Sequence, residues 1–287
     1  MAAEPLTLRQ ALLESRTQLA SCSDSPAVDA EWLWSHALHR SRSWLLTHPE
    51  WPLTPAEQAR GESLIRRRQD GHSVAHLCGE CEFLDFSVRL TSQVLAPRPE
   101  TELLVEQALH GLPHRARVLE WGTGSGVLAL AIARARPDCQ ILALDHSRAA
   151  VKLAQSNALR LRLKNVRFVR ADWRHPWPEG TFDLILGNPP YVALHDSHLQ
   201  SPGVCQEPRS ALVTPARGTQ TIRVLAAQAR RHAHRRTRLL LEHGANQGDV
   251  CRKIVRRAGW GRAKTLLDLA GLPRVCLASL QHHRLGR

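Results

Sequence analysis

Residues 117–121, Arg117-Val-Leu-Glu-Trp121, run straight into Gly122-Thr-Gly124-Ser-Gly126, and a helical apolar pattern follows from Val127 to Arg136. A short strand, a glycine-rich turn and a helix in that order open a β-α-β unit. Glycine is needed because the chain must turn sharply and let a ligand approach the backbone with no side chain between. A dinucleotide-binding loop spaces its glycines G-x-G-x-x-G to bring a pyrophosphate to the helix N-terminus. Here the third glycine comes one residue early and Val127 follows it. That spacing suits a cofactor without phosphate, such as S-adenosylmethionine, lying over Gly122, Thr123, Gly124, Ser125 and Gly126.

Working outward, strands are predicted at 140–145, 166–169, 182–186 and 238–242, with helices at 149–161, 219–231 and 247–258 between them. Repeated β-α units imply an α/β fold with a mostly parallel sheet covered on both faces. Two final strands, 263–268 and 274–279, have little between them and read as an antiparallel hairpin. That ending marks a Rossmann-like methyltransferase sheet rather than a dinucleotide-binding one. Residues 1–71 carry only helical patterns and form a small all-α bundle. Within it, Thr54, Pro55 and Glu57 make a capping-box helix start, and Arg66, Arg67 and Arg68 a basic last turn before Gly71. Residues 72–97 form a linker in which the strand-rich stretch 82–90 builds a hairpin, and residues 98–287 form the larger domain.

The chain has 287 residues and a formal charge of +13, almost all from arginine. Such a balance favours an acidic partner or a nucleic-acid-rich setting, although codon bias gives the same composition. No segment reaches the roughly 18 apolar residues of a membrane span, and the first twenty residues lack a signal-peptide core. A soluble, cytoplasmic, monomeric protein is expected. Seven cysteines, scattered and odd in number, fit reduced thiols. Cys78 and Cys81 have zinc half-site spacing, but no second pair follows, so no metal is expected.

Acidic and aromatic residues at the following strand ends extend the cofactor reading. Asp145 can accept both hydroxyls of a ribose. Asp172 can accept the exocyclic amine of an adenine, and Trp173 can contact its ring. Asn188-Pro189-Pro190-Tyr191 ends the fourth strand at the same sheet edge, its backbone stiffened by two prolines. An amide nitrogen is a poor nucleophile because its lone pair is delocalised, so its methylation needs acceptors for both N–H bonds. The Asn188 side-chain oxygen and the Pro189 carbonyl supply those acceptors, and Tyr191 stacks on the planar amide. Orientation of this kind contributes about 7–11 kcal/mol when complete.

With these motifs in place, the chain resembles the bacterial release-factor glutamine methyltransferases. Arg66-Arg67-Arg68, Ala75-His76-Leu77, Gly79, Phe83, Phe86 and Pro97-Arg98-Pro99-Glu100-Thr101-Glu102 look like that family's link between domains. Leu241-Glu242-His243-Gly244, Gln247-Gly248, Asp268, Gly271 and Arg274 match as well. The resemblance implies a helical domain that docks peptide chain release factors, followed by a seven-stranded S-adenosylmethionine-dependent domain. It implies that the acceptor is the glutamine of the release factor's Gly-Gly-Gln loop. Gly122 to Gly126, Asp145, Trp173 and Asn188 would then bind the cofactor, and Asn188 to Tyr191 the substrate glutamine. Glu120-Trp121 stands where the family usually has Asp-Leu; the Glu120 carboxylate would meet the cofactor's amino group. Residues 204–208 keep the Glu-Pro but not the expected arginine and aromatic, and Gly218-Thr219-Gln220 also departs.

Three other readings compete. One is glutamine methylation of a large-subunit ribosomal protein, whose enzymes carry a different linker. Another is transfer to an exocyclic amine of nucleic acid, which presents the same planar geometry; without a target-recognition domain, no direct nucleic-acid substrate is expected. The third is an inactive basic binding protein that keeps the fold.

Overall fold

The computed structural model describes residues 5–280, which divide into two compact units: one of residues up to 81 together with 197–207, the other of 82–196 and 208 onward.

The first unit holds α1 (Leu8–Leu19), α2 (Pro26–Leu38), α3 (Arg42–Thr47), α4 (Pro55–Gln69) and α5 (Val74–Cys78). Leu8, Leu19, Leu33, Trp34 and Ile65 are all but inaccessible and form its core. The Trp34 indole N–H is satisfied inside it by the Ser15 hydroxyl at 2.9 Å. The α4 start is the expected capping box: Thr54 N donates to Glu57 at 2.8 Å and Glu57 N to Thr54 Oγ1 at 3.3 Å. Its basic end divides by role. Arg66 and Arg67 are exposed, whereas Arg68 is buried and its Nε donates to Asp29 at 2.8 Å. The helix face, not the macrodipole alone, decides where each of the three guanidinium groups goes. Residues 197–207 close on α4's exit, where Gly203 N donates to Gly71 O at 2.9 Å and Gln206 Nε2 to Asp70 O at 3.2 Å.

Two short strands, β1 (Glu80–Phe83) and β2 (Phe86–Arg89), form a two-stranded sheet. The second unit then runs α6 (Glu102–Leu109), β3 (Arg117–Trp121), α7 (Val127–Ala135), β4 (Gln140–Asp145), α8 (Arg148–Arg160), β5 (Val166–Arg170) and β6 (Phe182–Gly187). It continues through the one-turn segments α9 (Arg209–Leu212) and α10 (Pro215–Gly218), then α11 (Gln220–Arg231), β7 (Ala233–Glu242), α12 (Gly248–Arg257), β8 (Arg262–Leu267) and β9 (Pro273–Ser279). The seven strands lie in the order β5-β4-β3-β6-β7-β9-β8. All neighbours are parallel except β7 with β9 and β9 with β8. The final pair is the antiparallel hairpin expected of a methyltransferase sheet.

Leu119, Ile185 and Leu239 pack with α11 and α12 in one core cluster. Val118, Leu184 and Leu240, of opposite parity, are equally buried, so both sheet faces are covered. β7 starts five residues earlier than its apolar pattern suggests, at Ala233. Its first turn of strand is basic and carries no alternation, and only the Phe182–Ala233 pairing, followed by a register shift, reveals it. Sequential strands leave β3 in opposite directions at β3/β6, which puts a crevice outside their carboxyl ends. No described helix is long and apolar enough to cross a membrane.

Removing one partner of a buried ion pair leaves the other charge uncompensated, at a cost of about 3 kcal/mol or more. Asp29→Ala should therefore lower the urea midpoint of the full chain strongly. Arg67→Ala on the exposed face should stay within about 0.5 kcal/mol of the parent. Equal effects of the two substitutions would contradict the division of roles along α4.

Candidate active site

β3, β4 and β6 each bring a polar side chain to the crevice, Glu120, Asp145 and Asn188. At the end of β3, the Glu120 carboxyl is 1% exposed. Its Oε2 accepts the Thr123 hydroxyl at 2.7 Å, while Oε1 is buried without any partner. Burial, opposed by the Thr123 hydrogen bond and reinforced by the nearby Asp145 charge, pushes its pKa up to about 7. A cavity lined by Glu120, Thr101, Gly122, Gly124 and Asn188 adjoins it. An orphaned carboxylate oxygen beside such a cavity suits a cationic amine, which is what the methionine end of S-adenosylmethionine carries.

The glycine loop turns over this cavity. Gly122 N and Thr123 N both donate to Leu144 O, at 2.9 and 3.1 Å, so β4 holds the loop's entry. At Gly124, φ is +54° and a Cβ would meet nothing within 4 Å; the site is open space above a backbone that only glycine adopts easily. Ser125 O accepts Asn157 Nδ2 at 2.9 Å, and the same amide side chain bonds both the N–H and the carbonyl of Arg89. The fully buried Asn157 therefore clamps the loop to the end of β2, a role its place in the middle of α8 does not advertise.

Asp145 ends β4 with its Oδ2 accepting Gly124 N at 3.0 Å and Oδ1 accepting Ser147 N at 2.8 Å. Each oxygen keeps a further lone pair for a ribose hydroxyl. A cleft runs on from there, lined by Gly122, Gly124, Asp145, Trp173, Asn188, Pro189 and Pro190. Asp172 does not line it. Its carboxylate binds Arg174 instead, through the backbone N at 2.9 Å and the guanidinium Nε at 3.0 Å. The Arg174 guanidinium holds the Asp172 carboxyl well below the usual carboxylate range. Trp173 lines that cleft.

The acceptor loop is trans throughout, since no cis peptide bond occurs among the described residues. Asn188 Nδ2 donates to Thr101 Oγ1 at 3.2 Å, and the Thr101 hydroxyl donates to Glu242 Oε2 at 2.9 Å. Tyr191 Oη donates to the other carboxylate oxygen of Glu242 at 3.3 Å. This chain assigns the Asn188 amide. With its proton given to Glu242, Thr101 can only accept, so the NH2 of Asn188 faces it and Oδ1 is left for an incoming N–H. Burial, opposed by the Thr101 and Tyr191 hydroxyls, pushes the Glu242 pKa up to about 7. Burial, and then the Glu242 charge, raise that of Tyr191.

The loop's exit is pinned as firmly. Tyr191 O accepts Gln247 Nε2 at 2.8 Å. At Gly218, with φ +79°, a Cβ would come within 2.2 Å of that same carbonyl. Val192 pairs with Val213 in a parallel bridge. Thr101, Glu242 and Gln247 were not candidates on chemical grounds. Glu242 alone had a local signal, as the last residue of a strand ending at this edge, while Thr101 lies 87 residues from Asn188. Among the described residues, no group of three or more His, Cys, Asp or Glu side chains could hold a metal ion.

Residues 10–79 match the family described as the PrmC N-terminal domain, and residues 99–206 the methyltransferase small domain. The chain is 40% identical to the release factor glutamine methyltransferase of Escherichia coli K12 over 267 residues, 93% of this chain and 96% of that one. It is 43% identical to the protein of that name from Xylella fastidiosa Temecula1 over 250 residues, 86% of this chain and 91% of the other. Among solved structures, a methyltransferase from Pyrococcus furiosus superposes with a TM-score of 0.53 at 16% identity, covering 76% of this chain and 97% of its own. That last likeness is one of fold.

Two buried carboxyls with raised pKa values set the pH dependence of stability. A carboxyl whose pKa is higher folded than unfolded contributes stability that is complete below its ordinary value and is lost as pH rises through the folded value, here about 7. The chain should melt at a lower temperature at pH 8 than at pH 6, with an effect on the order of 1 kcal/mol per carboxyl. Glu120→Gln should flatten the decline. A melting temperature that rises over that window would contradict the assignment.

Proposed function

Because the chain belongs to the release factor glutamine methyltransferase family, we propose that it methylates the side-chain amide nitrogen of the glutamine in the Gly-Gly-Gln motif of peptide chain release factors, using S-adenosylmethionine. The observation that carries this reading is the 40% identity to such an enzyme through both compact units, over 93% of the chain. A likeness confined to the sheet would have supported methyl transfer alone. The helical unit serves as the docking surface for the release factor. The protein acts in the cytoplasm, as a monomer.

S-adenosylmethionine supplies an electrophilic methyl group on a positively charged sulfur. The chain's own residues do the rest. Glu120 and Thr123 hold the amino acid end of the cofactor, Asp145 the ribose, and Trp173 the adenine face. The Asn188 Oδ1 and the Pro189 carbonyl each accept one N–H of the substrate amide, which orients the nitrogen and stabilises the positive charge that grows on it. The Tyr191 ring stacks on the amide plane while its hydroxyl is tied to Glu242. Pro190 keeps the loop rigid, so little entropy is lost when the glutamine enters. No side chain need remove a proton before transfer, because the methylated product is acidic enough to lose one to water afterwards.

Mass spectrometry of a purified release factor, after incubation with this protein and S-adenosylmethionine, tests the reading. Ribosomal protein and duplex DNA serve as parallel substrates. One added methyl on the Gly-Gly-Gln peptide is expected, and Asn188→Ala should cut the rate at least about 100-fold, the scale of a lost charge-stabilising acceptor. Methyl on the ribosomal protein or DNA instead would replace the proposed substrate. Near-normal turnover by Asn188→Ala would remove the role given to that side chain.

A further inference from the structure

The arginine excess has a location that methyl transfer leaves unexplained. At the sheet edge opposite the crevice, a cavity of about 670 Å³ opens between the end of α6, the starts of β6 and β8 and the last residues of β9. Arg235, Arg236, Arg238, Arg256, Arg262 and Lys264 line it. All are exposed except Arg238, which is half-buried and donates to Gln107 O and Ala108 O at 2.9 Å each, closing the end of α6. Among the described residues, Arg235, Arg236, Arg238, Arg256 and Lys264 form no ion pair with a carboxylate. The one acid in the cavity, Asp183, is already engaged by Arg117 N at 2.8 Å and His234 Nε2 at 3.1 Å. Its floor is uncharged, with Gly111, Pro113, Ala263 and Leu277.

Basic residues in the last turn of a helix need no ligand, since they complement the helix dipole. That accounts for Arg256 and for Arg230, Arg231 and Arg257 nearby in sequence. It does not account for Arg235, Arg236, Arg262 and Lys264, which sit on strands. Like charges that outnumber the acids around a concavity, as Arg235, Arg236, Arg256 and Lys264 do with Asp183 already engaged, repel one another and are stabilised by an anion. The volume lies within the range of small-ligand pockets and is far larger than a lone carboxylate fills. Guanidinium forks bind phosphate oxygens in pairs, and an apolar floor accepts the flat face of a base or ribose. The charges that continue past the cavity, on the ends of α11 and α12, match a ligand with several successive phosphates. Among the described residues, His110 is the one aromatic ring on the cavity and no Phe, Tyr or Trp lines it, so base stacking has little platform there and phosphates would carry most of the affinity.

We propose that this groove binds the phosphate backbone of a single-stranded RNA segment, an anchoring surface separate from the methyl-transfer crevice and at the other edge of the sheet. The RNA is a tether and not a substrate.

Fluorescence anisotropy of a labelled oligouridylate with the full chain, across a salt series and without cofactor, tests it. Arg235→Glu/Arg236→Glu/Lys264→Glu should weaken binding at least tenfold. The milder Arg235→Gln/Arg236→Gln/Lys264→Gln should lower the slope of log affinity against log salt by about 2, at roughly 0.7 for each phosphate no longer neutralised. Both triples should methylate free release factor at the parent rate, which shows them folded. Arg16→Glu/Arg66→Glu/Arg67→Glu, an equal change of net charge on the helical unit, should leave RNA affinity within about twofold. Equal weakening by this control would reduce the effect to net charge and overturn the proposal. So would unchanged binding by the groove variants, or displacement of the RNA by polyglutamate as readily as by unlabelled RNA, which would mark an acidic-peptide surface.

Discussion

A single hydroxyl proton organises the acceptor side of the crevice. Thr101 sits between Asn188 and Glu242, and it can donate to only one of them. While Glu242 is ionised, the proton goes there, the Asn188 NH2 must turn toward Thr101, and Oδ1 is left for the substrate N–H proposed above. If Glu242 carries its own proton, the relay can run backwards: Glu242 donates to Thr101, Thr101 to Asn188, and the amide offers the wrong face. Gln247 on the Tyr191 carbonyl and the absent side chain of Gly218 keep the loop in register with that hub. A planar amide is recognised by geometry alone, so small losses of orientation translate directly into rate.

The same burial that makes the relay directional makes it costly. Glu120 and Glu242 are each 1% exposed and both have pKa values near 7. Folding is therefore most stable where these groups are neutral, while the roles proposed for them in orienting the acceptor and holding a cationic amine need them charged. Stability and activity pull in opposite directions through neutral pH, as expected where a site is built from strained electrostatics. Glu120, one methylene longer than aspartate, meets this constraint with help from Thr123. Trp121 beside it is absorbed by the core, its ring 5.4 Å from that of Trp177.

The sheet was legible because its strands are short apolar runs separated by amphipathic helices, and the late hairpin separated one sheet type from another. β7 was the exception, since Ala233 to Arg236 carry charge where a strand pattern carries alternation. Gly122, Gly124, Asp145, Trp173 and Asn188 to Pro190 are singled out in the sequence because they follow strand ends, and they line one cleft in the structure. Asp172 obeys the same rule and yet turns away, because Arg174 two residues on competes for its carboxylate at short range. Thr101, Asn157 and Gln247 act across long stretches of sequence, through hydrogen bonds that no local pattern encodes. Arg68 was read by its position at a helix end, whereas its helix face sends it to Asp29.

We propose that the Glu242–Thr101 relay, and not a catalytic base, sets the acceptor for the amide. The pH profile of single-turnover methyl transfer in the parent and in Thr101→Val tests it, with cofactor affinity measured alongside. The parent rate should fall as pH drops through about 7, where Glu242 gains its proton. Thr101→Val should be slower by about 100-fold, or ~2.7 kcal/mol, with that fall flattened and cofactor affinity little changed. A variant that keeps the parent's rate and pH profile would contradict the claim and leave Asn188 oriented by something other than Thr101.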